Sequence, residues 1–135
     1  MADIRQVTPD FAVAPQLQPA EMAEAAGRGF RLVINNRPDG EVPGQPDAAE
    51  MERAARAVGM DYVHIPFVGR PGPSEVAAVQ QAVEGAGGPV LAFCRSGTRS
   101  ITAWSLGQAE AGARSRDEIL QLASGAGYDL AAALT

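Results

Sequence analysis

Four short apolar runs punctuate the chain: Phe11-Ala12-Val13-Ala14, Arg31-Leu32-Val33-Ile34-Asn35, Tyr62-Val63-His64-Ile65 and Val90-Leu91-Ala92-Phe93. The last three are almost continuously apolar and are bounded by Gly, Pro or Asn, as expected of strands covered on both faces of a parallel sheet. Between the runs, apolar positions recur at helical spacing. Pro19 suits the first turn of a short helix closed by Gly27. Met51, Ala54, Ala55 and Val58 line the inner face of a second helix, stopped at Gly59. Ser74 reads as the N-cap of a third, whose inner stripe is Val76, Val79 and Val83. A fourth helix is predicted over 100–111, ended by Gly112. A fifth opens on the capping box Ser115-Arg116-Asp117-Glu118 and turns Ile119, Leu122 and Ala123 inward. Tyr128 to Leu134 adds a last turn.

This alternation predicts an α/β domain occupying 1–135. Its central parallel sheet has about four to five strands, right-handed crossovers and helices on both faces. The longest irregular connection, 36–46, leaves the C-terminal end of its strand. The loops that begin at Pro66 and at Cys94 do the same. Open α/β sheets bind ligands along that edge, so the three loops are expected to converge.

Composition narrows the function classes. Hydrophobic residues make up 46% of the 135 and charged residues 20%, a globular balance. The net charge of −5 disfavours nucleic acid or an anionic membrane as the main partner. No apolar stretch approaches spanning length, and the opening residues lack a basic-then-apolar leader. The expectation is a soluble cytoplasmic protein. One Cys and one His cannot build an ordinary zinc cluster, and one Cys cannot make an internal disulfide. No cofactor is called for.

Against this acidic background two arginines fall within the six residues Cys94-Arg95-Ser96-Gly97-Thr98-Arg99, which join a buried strand to a helix. Small loop residues and a helix N-terminus turn several N–H groups inward, making an anion cradle. Gly97 allows a conformation that other residues resist, and Arg99 can fold back as a bidentate donor to oxyanion oxygens. The same field favours the thiolate, so Cys94 is expected to be ionised without a histidine base. Thr98 and Ser100 are expected to add hydroxyl donors to the sulfur. A structural cysteine alone would not require these neighbours, and Cys94 is therefore the candidate nucleophile with Arg99 its catalytic partner.

Other positions carry weaker signals. His64 lies on a strand, where a core histidine bonded to backbone is the simpler reading and substrate contact the other. Arg37 leaves the second strand beside the expected site, Arg70 lies in the Gly/Pro-rich loop after the third, and either could meet an anionic substrate. Arg37 could equally pair with Asp39 or Glu41 on the surface. Trp104 reads as a core residue.

The segments Val13-Ala14-Pro15-Gln16-Leu17, Val33-Ile34-Asn35-Asn36-Arg37-Pro38-Asp39-Gly40-Glu41, Tyr62-Val63-His64-Ile65-Pro66, Cys94-Arg95-Ser96-Gly97-Thr98-Arg99-Ser100 and Ala126-Gly127-Tyr128-Asp129-Leu130 together resemble one family. It is the phosphatase-like domain of the β-lactamase-hydrolase-like proteins, a bacterial group also described as sulfur transferases or, provisionally, as phosphatases. The resemblance implies a fold similar to dual-specificity phosphatases. Two departures from the tyrosine-phosphatase pattern stand out. Those enzymes separate Cys and Arg by five residues, whereas Cys94 and Arg99 enclose four, the length of rhodanese-type sulfurtransferase loops. Such phosphatases also carry an acidic residue about thirty positions before the cysteine to protonate the leaving oxygen. Here Pro66 to Pro73 has no carboxylate, and Asp39 is the available substitute.

The leading expectation is a sulfurtransferase that forms a Cys94 persulfide, with a sulfane-sulfur donor as its small anionic substrate and an external thiol as acceptor. The alternatives are a phosphatase acting on a phosphoester through a Cys94 phosphoenzyme, and a non-catalytic anion-binding module.

Overall fold

The computed structural model describes residues 1–134. Five strands form one sheet: β1 (Arg5–Thr8), β2 (Phe11–Ala14), β3 (Leu32–Asn35), β4 (Asp61–His64) and β5 (Val90–Phe93), in the order β1-β2-β5-β3-β4. β2, β5, β3 and β4 are parallel neighbours, and β1 runs antiparallel to β2. The edge strand β1 is an addition to the four strands read from the sequence. Its Arg-Gln-Val-Thr carries one strongly apolar residue; only Val7 and Thr8 are buried, as suits an edge wetted on one side. A turn at Pro9-Asp10 links it to β2, with the Asp10 N–H donating to Thr8 Oγ1 at 3.1 Å.

Every residue of β2, β3 and β5 is buried, because each strand is covered on both faces. On one face Phe11, Val13, Ile34 and Ala92 meet Val79, Ile101, Trp104 and Ala123 of three helices, α3 (Pro73–Gly85), α4 (Thr98–Glu110) and α5 (Arg116–Gly125). On the other, Ala12, Val33, Leu91 and Phe93 meet α1 (Met22–Gly27) and α2 (Ala48–Ala57) through Met22, Ala25, Met51 and Ala55. Trp104 is a core residue, stacked on Phe11 with ring centroids 4.9 Å apart. Such a pair adds about 1 kcal/mol beyond its burial.

Helix starts follow local chemistry, with two shifts from expectation. α3 begins after Gly72 with Pro73 in its first turn, so Ser74 is not the cap; its hydroxyl donates to the Glu75 carboxylate instead. α4 begins two residues sooner than the 100–111 reading, at Thr98, with Gly97 as its N-cap. α5 is capped as expected, the Glu118 N–H donating to Ser115 Oγ at 3.2 Å. The final turn occupies 131–134, where the Leu134 N–H reaches the Leu130 carbonyl, and Tyr128 lies ahead of it.

The strand order brings the C-terminal ends of β2, β5 and β3 side by side. The loops after them are stitched by backbone bonds: Gln16 N–H to the Arg95 carbonyl at 3.3 Å, and Asn36 N–H to the Phe93 carbonyl at 2.9 Å. The Phe67 N–H adds the loop after β4, reaching the Asn36 carbonyl at 3.4 Å. The loops beginning at 36, 66 and 94 converge, as the topology requires.

Candidate active site

Cys94 follows β5 directly and is fully buried, 0% exposed. The chain then turns through exposed Arg95 and Ser96 into Gly97, whose φ of +92 lies in the left-handed region that favours glycine. That turn aims the Gly97 N–H at Cys94 Sγ, 3.1 Å away. α4 starts immediately afterwards, and its first N–H, that of Thr98, donates to Ser96 Oγ at 3.4 Å. A Cβ at position 97 would collide with the hydroxyl of Tyr128.

Arg99 is held by three hydrogen bonds to two partners. Its Nη1 and Nη2 form a fork on Glu41, at 3.1 Å to Oε2 and 2.8 Å to Oε1, and Nη1 also reaches the Phe67 carbonyl at 3.1 Å. Arg37 holds the same carboxylate from its own loop, Nε to Oε1 at 2.7 Å, and donates through Nη1 to Gln16 Oε1 at 3.1 Å. The Glu41 carboxyl is pulled from 4.5 to about 2, first by the hydrogen bonds from Arg99, against the cost of its own burial, and then by the one from Arg37. Two of the five Arg99 N–H groups, Nε–H and the second on Nη2, have no partner among the described residues. Lying on one side of the guanidinium, they leave a planar fork for an anion.

The remaining sequence candidates divide sharply. Ser100 does not reach the sulfur: its hydroxyl donates to Asn36 Oδ1 at 2.8 Å. Thr98 makes no bond to it either; its hydroxyl accepts from Ser96 Oγ at 3.1 Å. Both sit on α4 itself, whose early start turns them away from the cradle. Arg37 is no surface residue; it is 3% exposed, and its pairing is with Glu41 and Gln16. Asp39 is exposed and accepts from the Ala48 N–H at 2.8 Å, at the start of α2. His64 donates through Nε2 to the Arg37 carbonyl at 2.8 Å, the backbone role that a strand histidine suggested. Arg70 is exposed and bonded to the Ala133 carbonyl.

Three contributors had no functional signal in the sequence reading. Glu41 was legible only as a surface partner for Arg37. Asn36, fully buried, ties three loops by accepting from Ser100 and donating through Nδ2 to the Ile65 carbonyl at 2.9 Å. Tyr128 donates to the Ser96 carbonyl at 2.9 Å from the C-terminal segment. A polar residue directly after an apolar strand was the available cue for Asn36, and the Gly before Tyr128 for a turn; neither names a partner. Among the described residues no group of three or more His, Cys, Asp or Glu could hold a metal ion, and no helix is long and apolar enough to cross a membrane.

With this geometry established, likeness to known proteins is informative. Residues 3–111 match the family model described as beta-lactamase hydrolase-like protein, phosphatase-like domain. A beta-lactamase hydrolase-like protein of Agrobacterium fabrum is 41% identical over 90% of the chain, and one of Xylella fastidiosa is 36% identical over 93%. The chain spans 28% and 29% of the length of these two relatives. A provisionally named phosphatase from Neisseria meningitidis superposes with a TM-score of 0.84 at 31% identity, covering 96% of this chain and 92% of that one. PTPMT1, solved with PI(5)P, shares the fold at a TM-score of 0.74 and 13% identity, over 88% and 80% of the two chains.

Proposed function

The chain belongs to the phosphatase-like domain family of the beta-lactamase hydrolase-like proteins, and from that premise we propose that it is a sulfurtransferase working through a Cys94 persulfide. Its α/β fold is that of the dual-specificity and tyrosine phosphatases. What favours sulfur over phosphoryl transfer is the state of the two carboxylates in the loop after β3. Glu41, beside Arg99, is held ionised by two arginines and down at about 2 has no proton to give near neutrality. Asp39 is occupied at the start of α2. A phosphoester needs a proton for its departing oxygen; a sulfane donor does not.

In the proposed step the Cys94 thiolate attacks the outer sulfur of thiosulfate. The S–S bond breaks, its electron pair leaves with sulfite, and Cys94 carries one added sulfur as the persulfide anion. A thiolate acceptor then takes that sulfur as its own persulfide and returns Cys94 to the thiolate. The Gly97 N–H that faces the sulfur supports the attacking thiolate, and the open fork of Arg99 suits the sulfonate oxygens. A nucleophile wholly below the surface also admits a terminal sulfur more readily than a phosphoryl group with its three equatorial oxygens.

The test is intact mass of the reduced protein after brief exposure to thiosulfate or glutathione persulfide. One added sulfur atom is expected, removable by cyanide and absent in Cys94→Ser. The second reading, a phosphatase with a Cys94 phosphoenzyme, draws on the fold and on the phosphatase name of the Neisseria relative. No added sulfur under either donor, with p-nitrophenyl phosphate hydrolysed through Cys94, would replace the first reading with the second.

A further inference from the structure

The Tyr128 hydroxyl donates to the carbonyl of Ser96 at 2.9 Å, and the Gly97 N–H donates to Cys94 Sγ at 3.1 Å. That carbonyl and that N–H are the two ends of a single peptide group. A donor on the oxygen of a peptide draws electron density away from its nitrogen and strengthens the N–H as a donor in turn. We propose that Tyr128 is a positioning residue that raises the reactivity of Cys94 near neutrality through the Ser96–Gly97 peptide, by orienting and polarising the N–H that stabilises the sulfur anion. The proposal rests on the reading of Cys94 as the reacting thiolate, whichever group it transfers.

Three observations separate this from ordinary loop support. Ser96 is exposed, so water could satisfy its carbonyl without a side chain from 32 residues away. The space above the peptide exists because position 97 has no Cβ, which would occupy the place of the phenol oxygen. And the ring carries the Arg5 guanidinium 5.3 Å from its centroid, a cation that makes the phenol a stronger donor. Burial keeps the Tyr128 phenol above its ordinary titration range against the pull of Arg5, so it stays a protonated donor near neutrality. Tyr128 lies beyond the 3–111 segment that matches the family model, so the segment carrying the nucleophile is completed from outside it.

The experiment compares iodoacetamide alkylation of Cys94 in the wild type and in Tyr128→Phe, which keeps the ring and deletes the donor. Arg95, the Arg99–Glu41 pair and Arg5 are the same in both proteins, so the comparison isolates the hydroxyl. Near neutrality the Phe variant should react about threefold to tenfold more slowly, while in strong alkali, where the thiolate forms regardless, it should react at least as fast as the wild type, because a thiolate relieved of a donor is the better nucleophile. Arg5→Gln, which leaves the phenol in place, should slow the neutral reaction in the same direction by less. Coupling is reciprocal, so alkylation should also perturb the near-ultraviolet absorbance of wild-type tyrosine. That change should be missing from Tyr128→Phe, although it retains Tyr62, the other tyrosine. Equal neutral rates, or rates depressed by the same factor at both extremes, would overturn the relay. A wild type that alkylates only in strong alkali would instead overturn the nucleophile reading on which it rests.

Discussion

Replacing Glu41 with Gln tests the electrostatic frame of the site, because it removes one charge while leaving shape and one acceptor. The carboxyl is drawn from 4.5 to about 2. At about 1.4 kcal/mol per unit this depression corresponds to roughly 3 kcal/mol of stability. The Glu41 side chain is 19% exposed, so solvent screening trims the expected loss to about 2 kcal/mol. The sign follows from linkage. A carboxyl bound more tightly as its anion in the folded protein stabilises it above the ordinary carboxyl range, and that contribution is lost as pH falls toward the folded value. Urea denaturation of both proteins should therefore give midpoints about 1 M apart at neutral pH, for a slope near 2 kcal/mol per molar. By about pH 3 the gap should shrink to less than half, since the wild type has begun to lose what the variant never had. Sulfur loading should fall as well, because Arg99 loses the partner that sets its orientation. A gap of equal size at both pH values would refute the charge argument and leave only a packing effect.

Three further substitutions probe the surroundings. Gly97→Ala combines a φ of +92 with a collision on Tyr128, whereas Gly40→Ala meets only a φ of +74 and open space. The second should cost about 1 kcal/mol and retain sulfur loading, and the first should cost more and abolish loading, as read by denaturation and intact mass. Ser105 is fully buried, and its hydroxyl has no partner among the described residues. Ser105→Ala should raise stability by about 1 kcal/mol, seen as a rise of roughly 3 °C in Tm.

The parts of this molecule legible in its sequence are those in which one chemical property acts alone. Continuous apolar runs gave β2, β3 and β5, strands covered on both faces, and the run from Tyr62 gave β4, an edge strand in which only Tyr62 is buried. β1 escaped because an edge strand alternates, and Arg5-Gln6-Val7-Thr8 is too short to show it. Cys94, Gly97 and Arg99 were readable because a small loop between strand and helix concentrates their roles in six residues. Glu41, Asn36 and Tyr128 were not, because each acts on a residue between 29 and 64 positions away, and no local pattern records a hydrogen bond across that distance. The assignment of Ser100 to the sulfur failed for a related reason. A hydroxyl near a cysteine in sequence has no preferred direction until the helix start is known, and α4 began early enough to turn it toward Asn36.

The place of β5 in the sheet bears on how the polypeptide is made. β1 with β2 and β3 with β4 are two ribbons that share no ladder; β5 lies between them, Phe11 against Val90 on one side and Leu32 against Val90 on the other. During synthesis on a ribosome neither ribbon can join the other until residue 93 has emerged, and until then the inner edges of β2 and β3 stay open. A nascent chain stalled before that point exposes two apolar edges at once, the state in which chaperones bind and aggregates begin. The strand that closes the sheet delivers Cys94 in the next residue, so translation yields a nucleophile only on a chain that already has the means to bury it.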